Sequence, residues 1–277
     1  MKFSLMTYTM GPVLNSGRMS LLDVLKFASS LGFDGIEFSI ADFDRDSVAN
    51  IKQALVNLGL KVSCINGTYS LAARSDAKFQ TAVENAKKMV DVAVSYDCAR
   101  VMYVPAFGPD IEGFEDRPRA AARIAQGLRE IVKYAAGKHV FVTVEDFPSL
   151  LYPLSTIAEV QSMLDSVPGL KLTLDNGNFL PGGDNLMEAY ARFRPYIENV
   201  HLKDWELSPD EKGILCRNGK YIRGGSHGKG LMDQQELLMA LKKDGYSNYL
   251  AFEYEGILDH EEETRKGFQY LKHLSEN

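Results

Sequence analysis

Eight times along this chain a short, β-rich apolar run is followed by a longer stretch with helical periodicity. The runs are Lys2–Thr9, Gly35–Phe38, Lys61–Asn66, Arg100–Val104, His139–Glu145, Leu170–Leu174, Ile197–Leu202 and Asn248–Glu253. The helical stretches that follow them are Ser20–Leu31, Asp46–Leu58, Asp76–Ser95, Glu115–Ala136, Ser155–Asp165, Asp184–Arg194, Asp233–Lys243 and Glu261–Leu274. Local signals punctuate this pattern. Ser20 with Asp23 reads as a helix start, and Gly32, Gly59 and Gly245 read as stops. Over 277 residues the repeat averages about 35, the size of one βα unit. The expected fold is therefore α/β, a single (β/α)8 TIM barrel, with a doubly wound open sheet as the structural alternative. No Pro/Gly/Ser-rich linker or low-complexity segment divides the chain, so residues 1–277 are expected to form one domain. A long connection from Lys203 to about Leu231 interrupts the rhythm.

Composition removes several function classes. At 45% hydrophobic and 25% charged residues, the chain is neither disordered nor fibrous. Its 31 basic against 37 acidic side chains leave a net charge of −6 with no long run of one sign, which gives no electrostatic support to nucleic-acid binding. Cys64, Cys98 and Cys216 are odd in number and far apart, which fits neither a disulfide framework nor a structural zinc site. The longest uncharged stretch, Phe3 to Gly17, is too short and polar to span a bilayer, so a cytoplasmic protein without membrane association is expected.

In a barrel of this kind the active site lies at the C-terminal ends of the strands. Glu145, Asp175, His201 and Glu253 stand at the ends of the fifth, sixth, seventh and eighth strands. Three carboxylates and an imidazole suit a divalent cation, Mn²⁺ foremost, with Mg²⁺, Co²⁺ or Zn²⁺ as alternatives. A single acid at a strand end merely meets solvent, but four consecutive strands ending this way point to a metal centre. Lys203, on the same face as His201 by strand alternation, is a candidate for polarising a substrate oxygen or for an ion pair with Glu206 or Asp204. Glu37, ending the second strand, is a candidate for orienting a substrate hydroxyl or a side chain near the metal. His227 lies beside a stretch expected to be flexible and to close over the mouth, where Arg223 and Lys229 either bind a substrate phosphate or carboxylate or stay solvated. Tyr8, Phe107, Phe147, Phe179 and Trp205 are candidates for the pocket wall, while His139, His260 and His273 read as surface or packing residues.

Several segments carry a specific resemblance: Gly32-Phe33-Asp34-Gly35-Ile36-Glu37, Val144-Glu145-Asp146, Leu174-Asp175-Asn176-Gly177-Asn178, Val200-His201-Leu202-Lys203-Asp204, Gly228-Lys229-Gly230, Gly245-Tyr246 and Phe252-Glu253-Tyr254-Glu255. In this order the chain resembles the xylose isomerase-like barrel family, which contains sugar isomerases and epimerases, hydroxypyruvate isomerases, inosose dehydratases and endonuclease IV-type enzymes. The resemblance maps Glu145, Asp175, His201 and Glu253 onto four metal ligands and gives Glu145 and Glu253 the acid/base roles of ketose epimerases. Where many members have a substrate-contacting His three residues after the sixth-strand Asp, this chain has Asn178, which can hydrogen-bond but not titrate.

The implied activity is isomerisation or epimerisation of a small ketose or sugar phosphate by α-proton abstraction, with the cation stabilising the enediolate. Glu145 and Glu253 lie on strands separated by two others, which lets their free oxygens approach opposite faces of the substrate carbon. Dehydration of an inosose-like or ketoacid substrate, which begins with the same proton removal, is the alternative. An endonuclease would need a trinuclear zinc cluster with many more than the five histidines present, and a non-catalytic sugar-binding barrel would have no use for two opposed glutamates. By resemblance a homodimer or homotetramer is expected.

Overall fold

The computed structural model describes residues 1–104 and 116–276. In chain order its strands are β1 (Lys2–Met6), β2 (Gly35–Ser39), β3 (Lys61–Thr68), β4 (Arg100–Val104), β5 (Phe141–Glu145), β6 (Lys171–Asp175), β7 (Ile197–Leu202), β8 (Trp205–Leu207), β9 (Ile214–Leu215), β10 (Tyr221–Gly224) and β11 (Tyr249–Phe252). The helices are α1 (Gly11–Asn15), α2 (Leu21–Leu31), α3 (Val48–Leu58), α4 (Asp76–Ser95), α5 (Arg117–Ala136), α6 (Ile157–Ser166), α7 (Leu186–Phe193), α8 (Gln234–Lys243) and α9 (His260–Glu276). Eight parallel strands close in the order β1-β11-β7-β6-β5-β4-β3-β2. Closure excludes the open sheet, because β1 is hydrogen-bonded on both sides, to β2 through Ser4–Met6 and to β11 through Lys2–Leu5.

Strand alternation sorts side chains between two environments. Along β5, Val142 and Val144 face the helices, whereas Thr143 and Glu145 face the barrel axis. Inside, the Thr143 and Thr173 hydroxyls meet at 2.7 Å, which satisfies two buried polar groups at once. Outside, Phe3, Phe33 and Phe268 pack α9 against the barrel, with the Phe33 and Phe268 rings stacked at 3.8 Å. Tyr103 reaches from β4 to the Ala86 carbonyl of α4 at 2.7 Å. No helix among the described residues is long and apolar enough to cross a membrane.

Helix boundaries follow cap chemistry. The Ser20 side chain accepts the Asp23 amide while the Asp23 carboxylate accepts the Ser20 amide, and Gly32 ends α2 at φ 92°, a conformation that favours glycine. Removing the capping hydroxyl in Ser20→Ala should cost about 1 kcal/mol, read as a lower urea midpoint at unchanged slope.

Several boundaries differ from the periodicity. β1 stops at Met6 rather than Thr9 because the Thr7 carbonyl accepts the Met10 amide at 3.0 Å and turns the chain into α1. β11 stops at Phe252, leaving Glu253 just beyond it with its amide on the Leu202 carbonyl at 2.9 Å. Helix α6 starts at Ile157, since Thr156 rather than Ser155 makes the cap. Phe107 and Glu115 lie outside the described residues. The connection after β7, expected to be flexible, is folded: β10 pairs antiparallel with β8 and β9. Its organiser is Asp204, whose carboxylate accepts the amides of Trp205, Gly228, Gly230 and Met232 at 2.9 to 3.1 Å. Only glycine fits at position 230, because a Cβ there would collide with the Asp204 carboxylate.

Candidate functional site

The four strand-end residues meet. Glu145, Asp175, His201 and Glu253 are all buried, and one ligand atom from each lies within 4.8 Å of all the others. Register explains the convergence: Asp175 is paired with His201 across β6 and β7, and Ala251 with His201 across β7 and β11. The His201 Nδ1 is 2.7 Å from Glu145 Oε1 and 3.4 Å from Glu253 Oε2.

Beneath this cluster Glu37 is fully buried. It accepts from His201 Nε2 at 3.0 Å, Asn66 Nδ2 at 3.0 Å and Asn199 Nδ2 at 2.9 Å. Burial alone would raise its pKa, yet the His201 charge and these three donors hold the carboxyl below its ordinary value. The arrangement fixes a proton on Nε2 and turns Nδ1 toward the cluster, as a carboxylate does behind a metal-bound histidine. For His201 itself burial works against protonation, but Glu37 and Glu145 outweigh it and the pKa stands well above the usual value.

Lys203 continues the inward alternation of β7. Its Nζ lies 3.1 Å from Glu255 Oε2, 3.3 Å from Glu253 Oε2 and 3.5 Å from Asp175 Oδ2. These carboxylates overcome the burial penalty and keep the ammonium charged, with its pKa well above normal. Reciprocally, Lys203 and His201 overcome burial at Glu253 and lower its pKa to about 2. Asp175 goes the other way, pushed up because burial outweighs the more distant Lys203.

The donor set fits a divalent cation. Asp175 Oδ2 and Glu253 Oε2 are buried and make no well-formed hydrogen bond, being held only by ion pairs of 3.3 to 3.5 Å, and they lie beside His201 Nδ1, the imidazole nitrogen that Glu37 does not engage. Three carboxylates and a histidine nitrogen could therefore hold such an ion.

Two of the four, Glu145 and Glu253, line a cavity of about 650 Å³, within the range of small-molecule sites. Lys203 and Asn178 line it too, as do Tyr8 and Phe147. Asn178 donates to the Asp146 carbonyl at 2.8 Å, and its buried Oδ1 has no partner. Five candidates lie elsewhere. Glu37 sits under His201 rather than on the cavity. His227 is packed 4.4 Å from the Phe252 ring, with Nε2 donating to the Glu253 carbonyl and Nδ1 accepting from Gln234. Arg223 is paired with Glu206 at 2.6 Å, the partner that Lys203 was a candidate for, and does not line the cavity. Trp205 packs with Cys216 and Ile222 under the small sheet, and Phe179 packs on Phe193. One charged lining residue had no assigned role: Glu255, two positions after Glu253, as Lys203 is two positions after His201.

A model of the xylose isomerase-like TIM barrel family matches residues 25–274. The L-ribulose-5-phosphate 3-epimerase UlaE of Escherichia coli O157:H7 is 24% identical over 240 residues, which cover 81% of this chain and 78% of that protein. The solved structure of the probable 3-DHS dehydratase AsbF from Bacillus anthracis matches with a TM-score of 0.80 at 18% identity, over 98% of this chain and 99% of that one. The IolI protein, solved with a zinc atom, matches with a TM-score of 0.78 at 18% identity, over 99% of this chain and 98% of that one.

Proposed function

This chain belongs to the xylose isomerase-like TIM barrel family, and we propose that it is a divalent-metal-dependent isomerase or epimerase of a small ketose or ketose phosphate. The observation that carries this reading is the meeting of four buried donors within 4.8 Å at the strand ends, with Glu145 and Glu253 also facing the cavity. The 3-epimerase activity in the name of the curated relative supports it.

A cation held by Glu145, Asp175, His201 and Glu253, with Mn²⁺ best suited and Mg²⁺, Co²⁺ or Zn²⁺ as alternatives, would supply Lewis acidity toward a substrate carbonyl and its neighbouring hydroxyl. Proton transfer falls to the chain. Glu145 ends β5 and Glu253 follows β11, with β6 and β7 between them on the barrel rim, so their second oxygens serve the two sides of the substrate carbon. One removes the α-proton and the other returns one. Lys203 donates to a substrate oxygen, and the partnerless Asn178 Oδ1 accepts a hydroxyl. Glu37 keeps His201 in the required tautomer.

Glu37→Gln retains the shape but removes the charge behind His201. It is expected to weaken Mn²⁺ binding by about 10- to 100-fold in a calorimetric titration, with the fold intact by circular dichroism. The activity itself is tested by incubating Mn²⁺-loaded protein with free and phosphorylated ketoses and following epimer or aldose formation by NMR. Product that disappears on chelation is the expected result; a metal-loaded protein that converts nothing across the panel would count against the reading.

A further inference from the structure

Charge in the cavity is distributed in a way that bears on which ketose it accepts. Among the described residues Lys203 is the one lysine or arginine lining it, and three carboxylates already hold its ammonium within 3.5 Å. Two other cations are paired as well, Arg18 with Asp259 and Arg223 with Glu206, both at 2.6 Å, and neither these nor Lys229 line the cavity. Residues 105–115 contain Asp110, Glu112 and Glu115 but no Lys, Arg or His, so that segment brings no positive side chain wherever it lies.

Among the described residues the backbone anion sites of the longer helices are taken too; α1 and the 3-10 turns Ile40–Arg45 and Arg194–Tyr196, which have no side-chain cap, are all shorter than eight residues. In this topology helix N-termini open on the same face as the strand ends, and such termini attract phosphates. Here the caps from Ser20 before α2 to Asp233 before α8 turn their own side-chain oxygens onto the first free amides. Away from the carboxylates the wall is built from Met6, Ile40, Met102, Val104, Pro148 and Ile214. Its remaining polar side chains, the hydroxyls of Tyr8, Ser39, Thr68, Ser149 and Tyr152 and the amides of Asn66 and Asn178, are neutral. A phosphate dianion placed here would lose its hydration, meet among the described residues only Lys203, already shared by three carboxylates, and face Glu145, Glu253 and Glu255. An apolar carbon there would gain from burial.

We propose that the substrate is an uncharged keto-sugar or keto-polyol, not a phosphate ester, and that its end remote from the carbonyl is deoxygenated or carries an apolar substituent. The proposal deepens the enolising reading above and rests on it. Three compounds differing only at C5 test it: L-ribulose, L-ribulose 5-phosphate and 5-deoxy-L-ribulose, each titrated calorimetrically into the Mn²⁺-loaded protein. The phosphate ester is expected to bind at least tenfold more weakly than L-ribulose, and the deoxy compound at least as tightly. A phosphate ester that binds as well as or better than L-ribulose, or a deoxy compound that binds tenfold worse, overturns the proposal. Deuterium exchange on the same samples separates the two claims. If binding follows the expected order but no compound exchanges, the substrate class stands and the enolising reading falls. If the phosphate ester binds best and exchanges, enolisation stands and this proposal falls.

Discussion

Glu253→Gln is expected to slow interconversion of the ketose epimers by about a thousandfold, and Glu145→Gln by a similar factor, within the span usual for losing a general acid/base. Gln keeps the volume and one carbonyl oxygen, so the side chain remains a weak ligand but can no longer accept the α-proton. The fall should appear in kcat rather than KM, because the carboxylate acts on the proton in flight and not on the bound ground state. The two variants should differ in one respect. With the bases on opposite sides of the carbon, each single variant retains solvent-proton exchange from one epimer and loses it from the other. The double variant should lose both and be far from additive, as expected of groups that act as a pair. Calorimetry with Mn²⁺ on each variant separates a lost base from a lost ligand. Turnover within tenfold of the parent in either variant would remove that glutamate from the acid/base role.

Chelation should have a second large effect, on activity and on stability together. Four buried donors lie within 4.8 Å of one another, and an ion that binds only this folded arrangement stabilises it by mass action. At a free Mn²⁺ concentration near one hundred times its Kd that stabilisation is about 2.7 kcal/mol. For a chain of this size it corresponds to about 5 °C in Tm. The His201→Ala variant, which removes the central nitrogen donor, should lose activity and show almost no change in Tm on adding Mn²⁺, whatever its own baseline Tm. A parent protein whose Tm and activity ignore both chelator and Mn²⁺ would show that the cluster is a structural ion-pair network.

Much of this was legible from local chemistry. Ser20, Asp23 and Gly32 announce α2 because cap and stop signals act over only a few residues, and the central strands read clearly because both their faces are buried. The small sheet β8–β10–β9 did not show, since strands of two to four residues are too short to display alternation. Helix α1, five residues beginning Gly-Pro, escaped for the same reason. Within the site, strand ends located Glu145, Asp175, His201 and Glu253 without tertiary information, because a parallel barrel brings all its strand ends to one mouth. His227 shows the reverse. Its neighbours in sequence suggest a loop over the mouth, whereas its partners, Gln234 and the Glu253 carbonyl, come from two other elements that no local pattern connects. Glu255 was within reach of the period-two rule that found Lys203.

The most direct test of metal-assisted proton abstraction is the exchange of the substrate C–H for C–D in D₂O, followed by NMR with the Mn²⁺-loaded protein and a ketose that it binds. Deuterium is predicted to enter at the carbon next to the carbonyl, to stop on adding chelator, to resume on restoring Mn²⁺, and to be absent in the Glu145→Gln/Glu253→Gln double variant. Exchange that continues undiminished in that double variant, or no exchange by a protein with both metal and ketose bound, would contradict it.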